Sequence, residues 1–301
     1  MTNGVSVELS ELIALQRYAR RVNYKPRNSA VQTGNHLSRL RGRGMDFAEV
    51  RNYQAGDEIR HMEWRVTART GRPHVKIYQE ERERPVVILS DFNPSMYFGT
   101  RIAFKSVIAA RLAALLIWTA VKQGDRVGGL FFSAEQHNEF MPRGRESGAL
   151  ALLASLSEFT KLRADNKKSK PLSEVLLRVR RVTRPGSILV LISDCYNLDK
   201  ESEKHLSRLR ENCDILVYHP CDPLELKPPK PEHYAMTDGE HEIIVDTTIS
   251  NLSKAYQDYC DKRHANLVAQ FKRLQIQYVQ LTAEDDLAAL VRRTFPRRSC
   301  V

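Results

Sequence analysis

The chain is predicted to be an α/β protein: a three-layer, mainly parallel sheet with a β-rich N-terminal attachment. Three observations predict it. From Pro85 onward, continuous Val/Ile/Leu runs alternate with longer stretches of helical periodicity. The apolar runs have strand length, and their lack of polar alternation fits strands buried on both faces. Gly124 and Gly186 fall where a helix cap or a tight turn is needed.

The strand candidates of the α/β part are Val86–Ser90, Arg126–Ser133, Ser187–Ser193, Ile215–His219 and Gln275–Leu281. The helix candidates are Arg101–Gln123, Gly148–Phe159, Leu172–Thr183, Lys200–Arg210, Leu252–Arg273 and Glu284–Thr294. Val107–Val121 is apolar apart from Arg111, which predicts a helix buried on nearly all sides rather than a membrane span. Two segments interrupt the alternation. Ala164–Lys170 is polar and lysine-rich and reads as a loop. Asp222–Glu240 contains Lys-Pro-Pro-Lys-Pro, which suits neither a helix nor a central strand, and Glu242–Asp246 reads as an edge strand.

The attachment is assigned to residues 1–84 and the α/β domain to residues 85–301. Residues 8–22 have helical periodicity, and Asn23–Gly44 is a polar connector. From Met45 to Glu81 short strands are expected, with a tight turn at Gln54–Asp57 that uses a positive φ at Gly56. A short turn follows over Glu58–Trp64, and Val75-Lys-Ile-Tyr alternates like a strand.

At 301 residues, with 42% hydrophobic and 28% charged content, the composition is that of a soluble globular protein. The N-terminus shows no basic start followed by an apolar run, so no signal peptide is expected. Five cysteines without paired metal-site spacing fit a reducing cytoplasm. The net charge is +11, but basic and acidic residues are interleaved, which favours a solvated surface over a nucleic-acid face. No Gly-x-x-x-x-Gly-Lys-Ser/Thr loop is present for nucleotide hydrolysis.

Chemistry concentrates at two strand ends. In open α/β sheets, ligands sit beyond the carboxyl ends of the strands. Asp91 ends the first core strand, and Asn93 and Ser95 follow at alternate positions. Asp194 ends Ile188-Leu-Val-Leu-Ile-Ser-Asp. If the two strands are neighbours, Asp91, Asn93, Ser95 and Asp194 make an oxygen-rich set suited to magnesium. The alternative is that both aspartates only cap the backbone that follows.

Asp-x-Asn-x-Ser resembles the Asp-x-Ser-x-Ser start of the metal-ion-dependent adhesion site in von Willebrand factor A-like domains, and Asp194 matches that site's later aspartate. Asn93 departs from the serine of that motif, and around Met141–Gly148 only Ser147 offers the hydroxyl expected from a threonine.

A wider pattern runs Phe47-Ala-Glu-Val-Arg51, Tyr53, Gly56-Asp57, Ile59-Arg60, Trp64, Ala68-Arg69-Thr70 and Glu80-Glu81. It continues through Gly124-Asp-Arg-Val, Ser193-Asp194, Asp222-Pro-Leu-Glu225 and Leu281-Thr-x-x-Asp-Asp-Leu. This resembles the domain of unknown function 58 family. The resemblance implies a von Willebrand factor A-like fold and a non-catalytic adaptor partnering a MoxR-type AAA+ ATPase, with a client protein. It also implies kinship with members that lack N-terminal membrane helices. Arg51, Asp57, Arg60, Trp64 and Arg69 are expected to form an ion-pair and stacking network, or to contact the partner. Two other classes compete. One is a metal-dependent hydrolase or nuclease using Asp91 and Asp194, with His61 or Glu63. The other is a nucleic-acid binder using Arg178, Arg180, Arg181 and Arg184, which can instead sit favourably at a helix C-terminus.

Overall fold

A computed structural model of the chain describes residues 4–19, 45–54, 56–80, 84–144, 146–161, 169–237, 241–248 and 250–295. These residues divide into two compact units, 4–19 with 84–295 and 45–80. The N-terminal helical segment therefore goes with the α/β unit and not with the β-rich attachment. The connector Asn23–Gly44, Glu81 and most of Ala164–Lys170 lie outside the described residues.

The smaller unit pairs β1 (Met45–Asn52) antiparallel with β2 (His74–Glu80). Between them lie a turn closed by Asp57 N–H on the Gln54 carbonyl, a 3-10 turn at Ile59–His61 and a helix, here α3, at Trp64–Thr70. The sequence suggested only a short turn over Glu58–Trp64. The helix is stopped by Gly71 in the left-handed region, φ 67°, a stop signal the sequence does carry.

The larger unit is built on six strands: β3 (Val86–Asp91), β4 (Val127–Phe132), β5 (His137–Arg143), β6 (Ile188–Ile192), β7 (Asp214–Pro220) and β10 (Gln277–Leu281). Their order is β10-β7-β6-β3-β4-β5, parallel except for the β4–β5 edge pair. Strand order reverses at β3–β6, where a ligand crevice is expected. The remaining strands, β8 (His233–Thr237) and β9 (Glu242–Asp246), form a separate antiparallel ribbon, so Glu242–Asp246 is not an edge of the main sheet.

Period-two alternation sorts the buried strand residues onto two cores. Val86, Ile88, Val127, Phe131, Ile188 and Val190 face one core. Val87, Leu89, Leu130, Phe132, Leu189 and Leu191 face the other. The first core is covered by α1 (Leu9–Ala14), α4 (Lys105–Lys122), α5 (Glu146–Thr160) and α10 (Leu287–Thr294). The second is covered by α6 (Leu172–Val182), α7 (Lys200–Arg210) and α9 (Ser250–Arg273). Both faces are filled, which is why the strands read as unbroken apolar runs.

The long helix α4 is buried almost all round, as its composition predicts. Its one mid-helix charge, Arg111, pairs with Glu11 at 2.7 Å, and Trp118 Nε1 donates to the Leu12 carbonyl at 3.0 Å. These contacts hold α1 on the core. The predicted helix over residues 8–22 is broken at Leu15 into α1 and α2 (Gln16–Ala19), and residues 20–22 lie outside the described set.

Strand β5 has no counterpart among the sequence-derived strands. His-Asn-Glu-Phe-Met-Pro-Arg is polar and contains a proline, and an edge strand tolerates both. The register shifts between Val127 and Gly129. A Cβ on Gly128 would stand 2.6 Å from the Phe140 carbonyl oxygen, so only glycine fits that close approach.

Candidate functional site: a buried ion cluster at the strand ends

Strands β3 and β6 are direct neighbours, with Ser90 opposite Ile192. Their chain ends therefore bring Asp91 and Asp194 into the same buried space, as the sequence required for a shared crevice. Both side chains are hidden from solvent. Burial, and then the Asp194 charge, push the Asp91 carboxyl up to about 7.

Each carboxylate oxygen has a protein donor. Asp91 Oδ1 accepts from the Asn93 backbone N–H at 2.9 Å, and Asp91 Oδ2 from the Ser193 hydroxyl at 2.7 Å. Asp194 Oδ1 accepts from the Tyr196 N–H at 3.2 Å. Asp194 Oδ2 accepts from the ammonium of Lys105 at 3.0 Å. Asn93 turns away from the pair: its amide exchanges two bonds with the Lys170 backbone, at 2.9 and 3.2 Å. Ser95 Oγ alone among the four predicted ligands is buried without a hydrogen-bond partner.

The residue that organises the cluster is Lys105, which the metal motif does not include. It opens α4, and its side chain is only 1% exposed. The ammonium also meets Glu225 Oε1 at 2.6 Å. Burial alone pulls Lys105 down, but Asp194 and Glu225 outweigh it and hold the ammonium above its ordinary value. A lysine in the first turn of a helix opposes the helix dipole, so two carboxylates are a fitting compensation.

Glu225 is positioned by a capping box in the four-residue α8 (Pro223–Leu226). Asp222 accepts from Leu224 N–H at 2.9 Å, and Glu225 Oε2 accepts from Asp222 N–H at 2.9 Å. Asp222 also holds the approach to α4, accepting from the Thr100 N–H at 2.8 Å and its hydroxyl at 2.7 Å. Tyr196 covers the other side. The Arg263 guanidinium lies 3.3 Å from its ring centre and the Lys105 ammonium 5.3 Å away, and Arg263 donates to the Asp194 carbonyl at 2.7 Å.

Cys195, between Asp194 and Tyr196, has a left-handed backbone with φ 55°. Burial, with Asp194 and Asp91 beside it, pushes its thiol up, which suits a packed and unreactive cysteine.

These residues do not fit a magnesium ion as they stand. Magnesium needs oxygen donors with free lone pairs near octahedral positions. Each carboxylate oxygen already shares a lone pair with a protein donor and Asn93 Oδ1 is engaged by Lys170, so only the Ser95 hydroxyl is uncommitted among the four predicted ligands, too few for an octahedral set. A lysine ammonium already stands on Asp194. Among the described residues no three His, Cys, Asp or Glu side chains are grouped to hold a metal ion. Ser147 falls in the first turn of α5.

The other predicted cluster is only partly assembled. Arg51 Nη2 pairs with Asp57 Oδ1 at 2.7 Å. The Gln54 N–H, and then the Arg51 guanidinium, hold the Asp57 carboxyl below its usual range. Arg60, Trp64 and Arg69 are exposed in the smaller unit, and no arginine stacks on Trp64 among the described residues. The five residues thus make one ion pair and not a stacked network. Glu63 instead caps α3 and pairs with Lys76.

Uncharacterized proteins of Mycobacterium tuberculosis and Mycobacterium bovis are each 26% identical over 225 residues, which is 75% of this chain and 70% of theirs. Among solved structures, the conserved hypothetical protein BatB from Bacteroides thetaiotaomicron has a TM-score of 0.44 at 14% identity, covering 70% of this chain and 96% of its own. An aerotolerance-related membrane protein from Bacteroides fragilis has a TM-score of 0.42 at 15% identity, covering 69% and 94%. A von Willebrand factor type A protein from Catenulispora acidiphila has a TM-score of 0.33 at 13% identity, covering 49% and 35%. Among the described residues of this chain, no helix is long and apolar enough to cross a membrane. The family model described as "Protein of unknown function DUF58" matches residues 49–266, well over half of the sequence, and the chain therefore belongs to the DUF58 family.

Proposed function

We propose that the protein is a non-catalytic, cytoplasmic adaptor that docks on a MoxR-type AAA+ ATPase and presents a client protein to it. The observation that carries the reading is the surface of Ile59–Thr70 inside the family-matched segment. Trp64 is 65% exposed there, and Ile59 is exposed to the same degree, with Arg60 and Arg69 also at the surface. Tryptophan and arginine are the residues most often found as anchors of protein interfaces. Ile59 and Trp64, both 65% exposed within one short segment, supply an apolar surface of the kind such anchors use.

The test uses the tagged full-length protein as bait in native lysate, with mass spectrometry of what it retains. The candidate ATPase is then purified and its affinity measured for wild type and Trp64→Ala. Capture of a MoxR-type ATPase, with affinity at least about tenfold weaker for Trp64→Ala, supports the reading. A purified MoxR-type ATPase from the same cells that shows no binding to the wild type would end it.

A further inference from the structure

We infer that Lys105 is a built-in cation: its ammonium takes the electrostatic place of the divalent ion that the Asp91–Asp194 motif suggests, so the native site takes no metal. The argument begins with charge. Asp194 and Glu225 both reach the same buried nitrogen, at 3.0 and 2.6 Å. Buried carboxylates of this kind require a positive partner, and the partner here is covalently part of α4. The remaining carboxyl, Asp91, is held by two hydrogen bonds, from the Asn93 N–H and the Ser193 hydroxyl.

Geometry adds to this. A divalent ion on Asp194 would have to share Oδ2 with Lys105 or Oδ1 with the Tyr196 N–H, or displace one of them. Displaced from Oδ2, an ammonium 1% exposed would keep only Glu225 and stand buried beside a doubly charged ion; sharing Oδ2, it would meet that ion across a single oxygen. Lys105 cannot withdraw easily either, because α4 starts at that residue and its N–H is bonded to the Phe98 carbonyl at 2.9 Å. The loop before it is held in turn by Asp222 through Thr100. Asn93, the motif's amide substitution, is likewise committed to the Lys170 backbone. The substitution at position 93 and the lysine at position 105 point the same way. The inference concerns the chemistry of the strand ends and holds whatever partner the exposed segment binds.

The test is a Mn2+ titration of the full-length protein followed by room-temperature electron paramagnetic resonance, which counts free ion. Wild type, Lys105→Ala and Lys105→Met are compared, the last keeping most of the buried stem. Wild type is expected to bind no Mn2+ that Asp91→Asn or Asp194→Asn abolishes, and to melt at the same temperature in magnesium and in EDTA at matched ionic strength. The lysine variants are expected to gain one Mn2+, with affinity at least about tenfold above any wild-type binding, and to be stabilised by it. One Mn2+ bound by wild type and lost in Asp91→Asn would overturn the inference, as would folded lysine variants that bind none. If neither lysine variant folds, the wild-type titration with the aspartate variants decides alone.

Discussion

Two regions rich in charged and aromatic residues end in opposite states. Around the ends of β3 and β6, Asp91, Asp194 and Lys105 are removed from water, Glu225 is partly so, and the charged groups are matched donor to acceptor. Of Arg51, Asp57, Arg60, Trp64 and Arg69, only the first two pair with each other, and Arg60, Trp64 and Arg69 stay exposed. The difference teaches that a dense motif is not by itself a site. Burial makes an unmatched charge costly, so the strand-end cluster must be complete. Exposure imposes no such demand, and the smaller unit can leave its arginines and tryptophan at the surface.

The contrast can be broken most directly at Lys105. Replacing it by alanine leaves Asp194 and Glu225 without their common partner. Unfolding by urea should then show a loss of roughly 3–5 kcal/mol, the range found when one member of a buried ion pair is removed. The two tryptophans make this measurable unit by unit. Trp118 is buried in α4 and Trp64 lies in the smaller unit, so a Trp64→Phe background leaves Trp118 to report on the α/β unit alone. A midpoint unchanged by Lys105→Ala would show that the buried cluster is no more committed than the exposed one.

A second measurement sharpens the contrast through pH. His219 in β7 is buried against Tyr278 and Cys221, bonding the Tyr278 hydroxyl. Burial, then the charge of Arg263, lower it from 6.5 to about 3. A histidine whose folded value lies below its unfolded one adds stability that is fully present above the unfolded value. That stability is lost as pH falls from about 6.5 toward 3. Between pH 7 and pH 5 the Trp118 signal of wild type should therefore lose ~1–3 kcal/mol relative to that of His219→Gln, the comparison cancelling the opposite contribution of Asp91. Equal slopes in both proteins would show that the histidine takes on its proton without opening the core.

Smaller effects are expected in the exposed region. Arg51→Ala should move the thermal midpoint far less than Lys105→Ala, and moderate salt should erase most of the difference, because a partly exposed pair is screened. Trp64→Ala should leave the melting of both units unchanged within error while weakening the proposed ATPase contact. A large drop in stability would instead place Trp64 in a structural role and return the segment to the network the sequence suggested.

The alternating pattern of the α/β unit is legible in the amino-acid order because the signal is local. The apolar period of Val86–Asp91, Ile188–Ile192 or Lys105–Lys122 follows from which faces each element must bury. The positions of Asp91 and Asp194 at strand ends are equally readable, and so is the family pattern. Strand β5 and helix α3 escape such a reading because one is a polar edge and the other a short surface helix; neither carries a long apolar period. The partners of the two aspartates lie beyond the sequence. Lys105 meets Asp194 across 89 residues and Glu225 across 120. Its one local sign is a lysine opening a helix too apolar to expose it. Pairing at such separations is set by how β6, α4 and α8 come together in space, and low-dielectric burial then decides which charges must be matched. The sequence alone determined the layers and the strand-end acids; the tertiary structure decided that a lysine lies on Asp194.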